Sequence, residues 1–208
     1  MRTDFLVGTG KNVVEFDELQ SIEVKGGTVR GIPFLGEHAD LNIRTKLAYL
    51  LDLNGNKLLF AADSCNIEPL LYSHLQRQVG EVRALFVGME CSGAPLTWLY
   101  GPLLSRRPDR SSNESRRLSG SNFAQAIEIV NSMNCEEVFV YAMGQEPWLN
   151  HIMSIKYSPE SAPIVESDRL IATCRERGVL AERLFGEREM FLDPLVTHNG
   201  SAVLYDCE

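Results

Sequence analysis

Histidine is scarce in this chain: its 208 residues include four, and no two of them form a His-x-His pair. That removes the commonest way of gathering imidazole ligands around a metal within one loop. Cysteine offers no substitute. The five cysteines, Cys65, Cys91, Cys135, Cys174 and Cys207, are scattered, odd in number and without a CxxC pair. Such usage fits reduced thiols in a cytoplasmic protein better than a disulfide framework or a structural zinc site. No apolar run is long enough to span a bilayer, and the first residues do not resemble a signal peptide, so no membrane association is expected. Positive charge is also in deficit. Lysine and arginine number 20 against 28 acidic residues, a formal charge of −8. A field of that sign repels phosphates and argues against a general nucleic-acid binder.

What is present describes a globular protein: 44% apolar and 23% charged residues, with no internal repeat or linker. One domain over residues 1–208 is the expectation. Residues 12–16, 20–25 and 28–35 read as short strands, the last two joined by a Gly26-Gly27 turn. Residues 46–53 and 57–62 form a second hairpin around Asn54-Gly55-Asn56, and helical spacing over 67–79 ends at Gly80. Residues 83–87 and 138–142 are buried strands; Ser121 is placed to cap a helix over 122–133, and a further helix over 163–177 stops at Gly178. Short strands over 180–185 and 202–205 close the chain. Residues 88–120 form a long Gly-, Pro-, Ser- and Arg-rich loop with one turn of helix near 96–103. Hairpins first and alternating helix and strand afterwards predict an α/β fold with mixed β-sheet layers flanked by helices.

Several carboxylates fall at predicted strand ends. Glu37, His38 and Asp40 follow one strand-like run, Asp63 closes the next hairpin, and Glu90 and Glu146 follow the two buried strands. Iron, manganese and zinc all accept such oxygen ligands supplemented by imidazole, and a carboxylate beside them can act as a base. The plain alternative is solvated loop charge, with Asp63 simply favouring a helix N-terminus. His151 could reach the same rim, whereas His74 reads as a surface helix residue and His198 as a turn residue. Arg106, Arg107, Arg110, Arg116 and Arg117 make a local basic cluster, read either as a solvated loop or as a site for a phosphate or an acidic partner.

The Phe-Ala-Ala-Asp-Ser strand end (60–64), the Gly-Glu-His-Ala-Asp-Leu segment (36–41), the run over 88–104 and Tyr-Ala-Met-Gly-Gln-Glu-Pro-Trp (141–148) together resemble the C-terminal half of a metallo-β-lactamase αββα sandwich. The resemblance covers about residues 28–192 and is to the superfamily's di-iron oxygenase branch. Within it, the similarity is to the β-hydroxylases of chloramphenicol biosynthesis, which act on aminoacyl groups tethered to a carrier protein. It implies Glu37 as a metal ligand, Asp63 as the ligand bridging two metals and Glu90 as an acid beside them, with His151 the nearest candidate for a late histidine ligand. The His-x-His-x-Asp-His cluster of that superfamily is absent from the sequence. The implied cofactor is therefore a di-iron or zinc centre completed by an N-terminal complementing segment or another chain, or else no metal.

Two functions stay open at this point. One is a carrier-protein-dependent oxygenase, or part of one, with the arginine cluster meeting the carrier's phosphopantetheine arm; zinc in place of iron would make it a hydrolase. The other is a non-catalytic, degenerate interaction or dimerisation module. A homo-oligomer is expected under either.

Overall fold

A computed structural model describes residues 14, 17–34, 46–64, 66, 68–91, 105, 106, 109, 120–145 and 157–192. Its described elements are β1 (Ser21–Val24), β2 (Gly27–Pro33), β3 (Leu47–Leu53), β4 (Asn56–Ala62), α1 (Pro69–Val79), β5 (Ala84–Gly88), α2 (Phe123–Met133), β6 (Glu137–Tyr141), α3 (Ala162–Glu176) and β7 (Leu180–Arg183). The architecture is α/β with one mixed sheet, as the sequence pattern implied. The expected strand over 202–205 and the helical turn near 96–103 lie outside the described residues, as does all of 12–16 but the exposed Val14.

The sheet order is that of the chain, β1 to β7. Pairing is antiparallel from β1 to β4 and parallel from β4 to β7. Asn54 and Gly55 both take positive φ, 52° and 84°, in the two-residue turn joining β3 to β4, the geometry that matches strand twist and favours Asn-Gly. The first hairpin differs from expectation by one residue. Lys25-Gly26 makes its turn, with Gly26 at φ 87°, and Gly27 already pairs with Leu53. A Cβ on Gly27 would lie 1.8 Å from the Asp52 carbonyl oxygen, so close approach of backbone fixes glycine there.

β4, β5, β6 and β7 step across the sheet in one direction. Right-handed crossovers then carry every connecting helix to the same face. Accordingly α1, α2 and α3 share one core with that face. Leu59, Ala61, Leu85, Val87, Val138 and Val140 point into it, meeting Leu75, Ile129, Val130, Leu170 and Ile171 from the helices. The intervening residues of the same strands, Leu58, Phe60, Ala84, Phe86, Phe139 and Tyr141, point to the opposite face. There Phe60 stacks on Phe86 with centroids 4.2 Å apart, and Phe86 on Phe139 at 5.0 Å. Leu184, Met190 and Leu192 pack against this second cluster.

Helix ends are satisfied locally. Glu68 caps α1 by accepting from the Leu70 N–H at 3.1 Å, and Gly80 at φ 78° ends it. α2 is capped by Asn122, not by Ser121. Asn122 Oδ1 accepts from Gln125 N–H at 3.0 Å while the Gln125 side chain accepts from Asn122 N–H at 3.1 Å, a reciprocal capping box. Ser121 instead donates its hydroxyl to the Ser64 carbonyl at 2.8 Å. At the rim opposite the candidate site, Arg83 joins three strand starts and the later chain: it donates to Glu137 at 3.1 Å, to Asn56 at 2.7 Å and to the Phe191 carbonyl at 3.2 Å.

Candidate functional site

In the parallel half of such a sheet, the carboxyl ends of the strands form the edge where ligands bind. Here β4, β5 and β6 end together, with Ala62 paired to Val87 and Gly88 to Tyr141. Asp63 directly follows β4, and Glu90 stands two residues past β5. The two carboxylates singled out from sequence thus follow adjacent strands at one rim. Both are half-buried. Glu37 and His151 lie outside the described residues, as do His38, Asp40, Glu146 and His198.

Backbone geometry shapes this edge. The β4–β5 register shifts between Phe60 and Ala62, and Ala62 is left-handed at φ 50°. Ala142, just beyond β6, is left-handed too, at φ 57°. An alanine rarely adopts that region, and such outliers gather where a chain must aim a side chain. Gly88 lies flush beneath Asp63: a Cβ there would sit 2.9 Å from the Ala62 carbonyl oxygen and 3.0 Å from Asp63 Oδ1.

Residues 120–123 fasten α2 to the same edge. Ser121 N–H donates to the Gly88 carbonyl at 3.1 Å, and its hydroxyl holds the Ser64 carbonyl. A Cβ on Gly120 would be 2.8 Å from the Glu90 nitrogen. Phe123 N–H donates to Glu166 at 2.7 Å, tying α3 in as well. The positive end of α2 therefore lies in the same cluster as Glu90 and Glu166, where it favours carboxylates.

The local electrostatics favour neutral acids. Burial first, then the Glu166 and Glu90 carboxylates, push the Cys91 thiol up to about 11 from an ordinary 9.0. Burial also raises the Tyr141 phenol; the Ala62 backbone hydrogen bond works against that rise and the Asp63 carboxylate adds to it. Tyr141 was not singled out by sequence reasoning. The available signal was a hydroxyl-bearing aromatic ending a buried strand beside two others that end in carboxylates.

His74 is remote from this rim in its surroundings. It is exposed on α1, contacts Arg77, and lines a small apolar cavity with Leu19, Pro33, Leu71, Leu75 and Gln78. Of the arginine cluster, Arg106 is described and exposed; its other four members lie outside the described residues.

Asp63 and Glu90 supply hard oxygen donors of the type iron accepts. Their number does not suffice: among the described residues no group of three or more His, Cys, Asp or Glu could hold a metal ion. Two carboxylates alone do not retain a dinuclear centre.

The chain is 44% identical over 181 residues to a 4-amino-L-phenylalanyl-(CmlP peptidyl-carrier-protein) 3-hydroxylase of Streptomyces venezuelae. The crystal structure of CmlA, a diiron β-hydroxylase from the same organism, superposes with a TM-score of 0.73 over 84% of this chain, again at 44% identity. Over most of its length this chain is similar to one third of a diiron β-hydroxylase. It matches 87% of its own residues to that curated relative but spans 34% of the relative's length. A putative zinc-dependent hydrolase of the metallo-β-lactamase superfamily from Thermotoga maritima aligns over 76% of this chain and 57% of its own, at 12% identity with a TM-score of 0.40. No family model matches. Among the described residues no helix is long and apolar enough to cross a membrane.

Proposed function

We propose that this chain forms the carboxylate-bearing part of a metal-dependent β-hydroxylase whose substrate is an aminoacyl group tethered to a carrier protein. The observation that carries this reading is the placement of Asp63 and Glu90 at one sheet rim, within a sequence 44% identical to the hydroxylase segment. In it, Asp63 is a metal ligand, and Glu37 and His151, which lie outside the described residues, are further ligands. Ligands beyond these come from another segment or a second subunit, and a homo-oligomer is one way to supply them. Iron bound there supplies oxygen chemistry; the chain's own part is to hold the ligands, exclude water and place Glu90 to take or give a proton. The arginine-rich segment from Arg106 to Arg117 is the proposed contact for an acidic carrier protein.

The test is elemental analysis of protein purified without chelators, beside an Asp63→Ala variant, together with mass spectrometry of a carrier-loaded amino acid incubated with reductant and oxygen. Stoichiometric iron lost in the variant, with one oxygen atom gained by the loaded substrate, is the expected result. Stoichiometric zinc without oxygen transfer would assign a hydrolase instead, and absence of metal from both proteins would overturn the reading.

A further inference from the structure

Arg169 stands exposed in the first half of α3. Its guanidinium carbon lies over the Phe123 ring, 4.0 Å from the centroid. That is the spacing of a face-to-face stack, in which the delocalised cation meets the negative face of the ring. Such a stack fixes a long side chain and leaves the N–H donors at the edge of the guanidinium facing outward. Among the described residues no hydrogen bond or ion pair engages those donors. Arg183, at the end of β7 and against the same helix, is the contrast: it donates to Ser167 and to Asp168, each at 2.6 Å. One arginine is used by the fold. The other is held in place with its donors unused.

Phe123 ties this cation to the carboxylate rim. It is the first residue of α2, and its N–H donates at 2.7 Å to Glu166, three residues before Arg169 on α3. The residue two before it is bound to the chain just past β4 and to the end of β5. Ser121 donates its hydroxyl to the Ser64 carbonyl at 2.8 Å and its N–H to the Gly88 carbonyl at 3.1 Å. Asp63 and Glu90 flank those two anchors along the chain. Arg169 is therefore linked to the rim through Phe123 and the start of α2. An anion approaching Asp63, Glu90 and Glu166 meets like charge. Arg169 offsets that repulsion at the margin, with a fork that matches two oxygens of one phosphate. A substrate carried on a phosphodiester can thus present its reacting end to the rim and leave its phosphate outside the carboxylates.

We propose that Arg169 binds the phosphodiester of the arm on which a carrier protein presents its aminoacyl group. The identity of that anion rests on the function proposed above.

The experiment titrates pantetheine and its methyl phosphodiester, which reproduces the single negative charge of the arm, against the unsubstituted protein, Arg169→Gln and Arg169→Lys. Binding is followed by NMR. The phosphodiester should bind about tenfold or more tightly than pantetheine, the return expected from one pair of charge-assisted hydrogen bonds. Arg169→Gln should bind both compounds alike. Arg169→Lys should keep part of the preference, because it retains the charge and loses the fork. Equal binding of both compounds by the unsubstituted protein, or an undiminished preference in Arg169→Gln, overturns the proposal. Inorganic phosphate is the third probe: Arg169-dependent binding as tight as that of the phosphodiester would assign free phosphate and overturn the arm. Should the variants fold poorly, a shift of the Arg169 Nε–H resonance when the phosphodiester is added to the unsubstituted protein supports the contact, and its absence refutes it. An Arg169-dependent preference in a protein that holds no iron would keep the phosphate site and remove the hydroxylase reading. Hydroxylation of the carrier-bound substrate with the same KM in Arg169→Gln would do the reverse.

Discussion

Replacing Gly88 by alanine adds one methyl group to a confined backbone position at the rim, directly beneath Asp63. The new Cβ would lie 2.9 Å from the Ala62 carbonyl oxygen, 3.0 Å from Asp63 Oδ1 and 3.4 Å from the Ala62 carbonyl carbon. The first two are several tenths of an ångström inside ordinary contact, and one of them is backbone that cannot rotate aside. Overpacking of this kind costs about 1–3 kcal/mol. Alanine also restricts the unfolded chain, returning roughly 0.4–1 kcal/mol. The net loss is about 1–2 kcal/mol, equivalent to a fall in Tm of about 2–8 °C for a chain of this size. Two controls bracket the value. Gly27→Ala meets backbone at 1.8 Å and should lose more, whereas Gly178→Ala meets nothing within 4 Å and carries backbone strain alone, from φ 78°. Urea unfolding of the three variants, compared at equal m, gives the ranking. A Gly88→Ala midpoint equal to that of the unsubstituted protein would refute the claim that this glycine is kept for room beneath Asp63.

Cys91 should alkylate slowly. With its thiol pushed up to about 11 from 9.0, the thiolate fraction at pH 8 is about a hundredfold below that of a free cysteine, and the rate should climb until about pH 11. Peptide mapping after iodoacetamide treatment reads this, and Glu166→Gln should speed the reaction several-fold. The same sign governs stability. Cys91, Cys135 (about 12), Cys174 and Tyr141 are all raised by burial, so the folded state keeps protons the unfolded state releases. Stability should therefore fall as pH rises above about 9; thermal melts from pH 7 to 10 that stay level would contradict this. Arg83→Met should cost about 2 kcal/mol by leaving the half-buried Glu137 without its guanidinium, seen as a Tm lower by about 4–8 °C.

Local patterns made much of the fold readable. The Asn54-Gly55 turn specified its own hairpin, and the unbroken apolar runs at Ala84–Val87 and Val138–Val140 announced strands covered on both faces. Ends of such runs mark a rim, which is why Asp63 and Glu90 could be named before any coordinates. What failed was decided by tertiary contact. Ser121 and Asn122 are equally good caps in isolation; the Ser64 carbonyl claims the first and Gln125 the second. The left-handed turns at Ala62 and Ala142 carry no residue signal, since alanine favours other conformations. Nor does a sequence state which strand neighbours which, so the contact of Tyr141 with the end of β4 was not legible.

The matching of sheet order to chain order governs how the molecule can be made. Each described strand from β2 onward pairs with the described strand before it, so pairing among them does not wait for a distant piece of chain. Loop-closure entropy at each addition is that of one turn or one crossover. Among the described strands, the sheet can grow by accretion at one advancing edge, on the far side from β1, while later residues are still being translated. Interruption of synthesis after β5 would leave a smaller sheet that already carries Asp63 against Gly88, which makes that junction one of the first parts of the rim to exist.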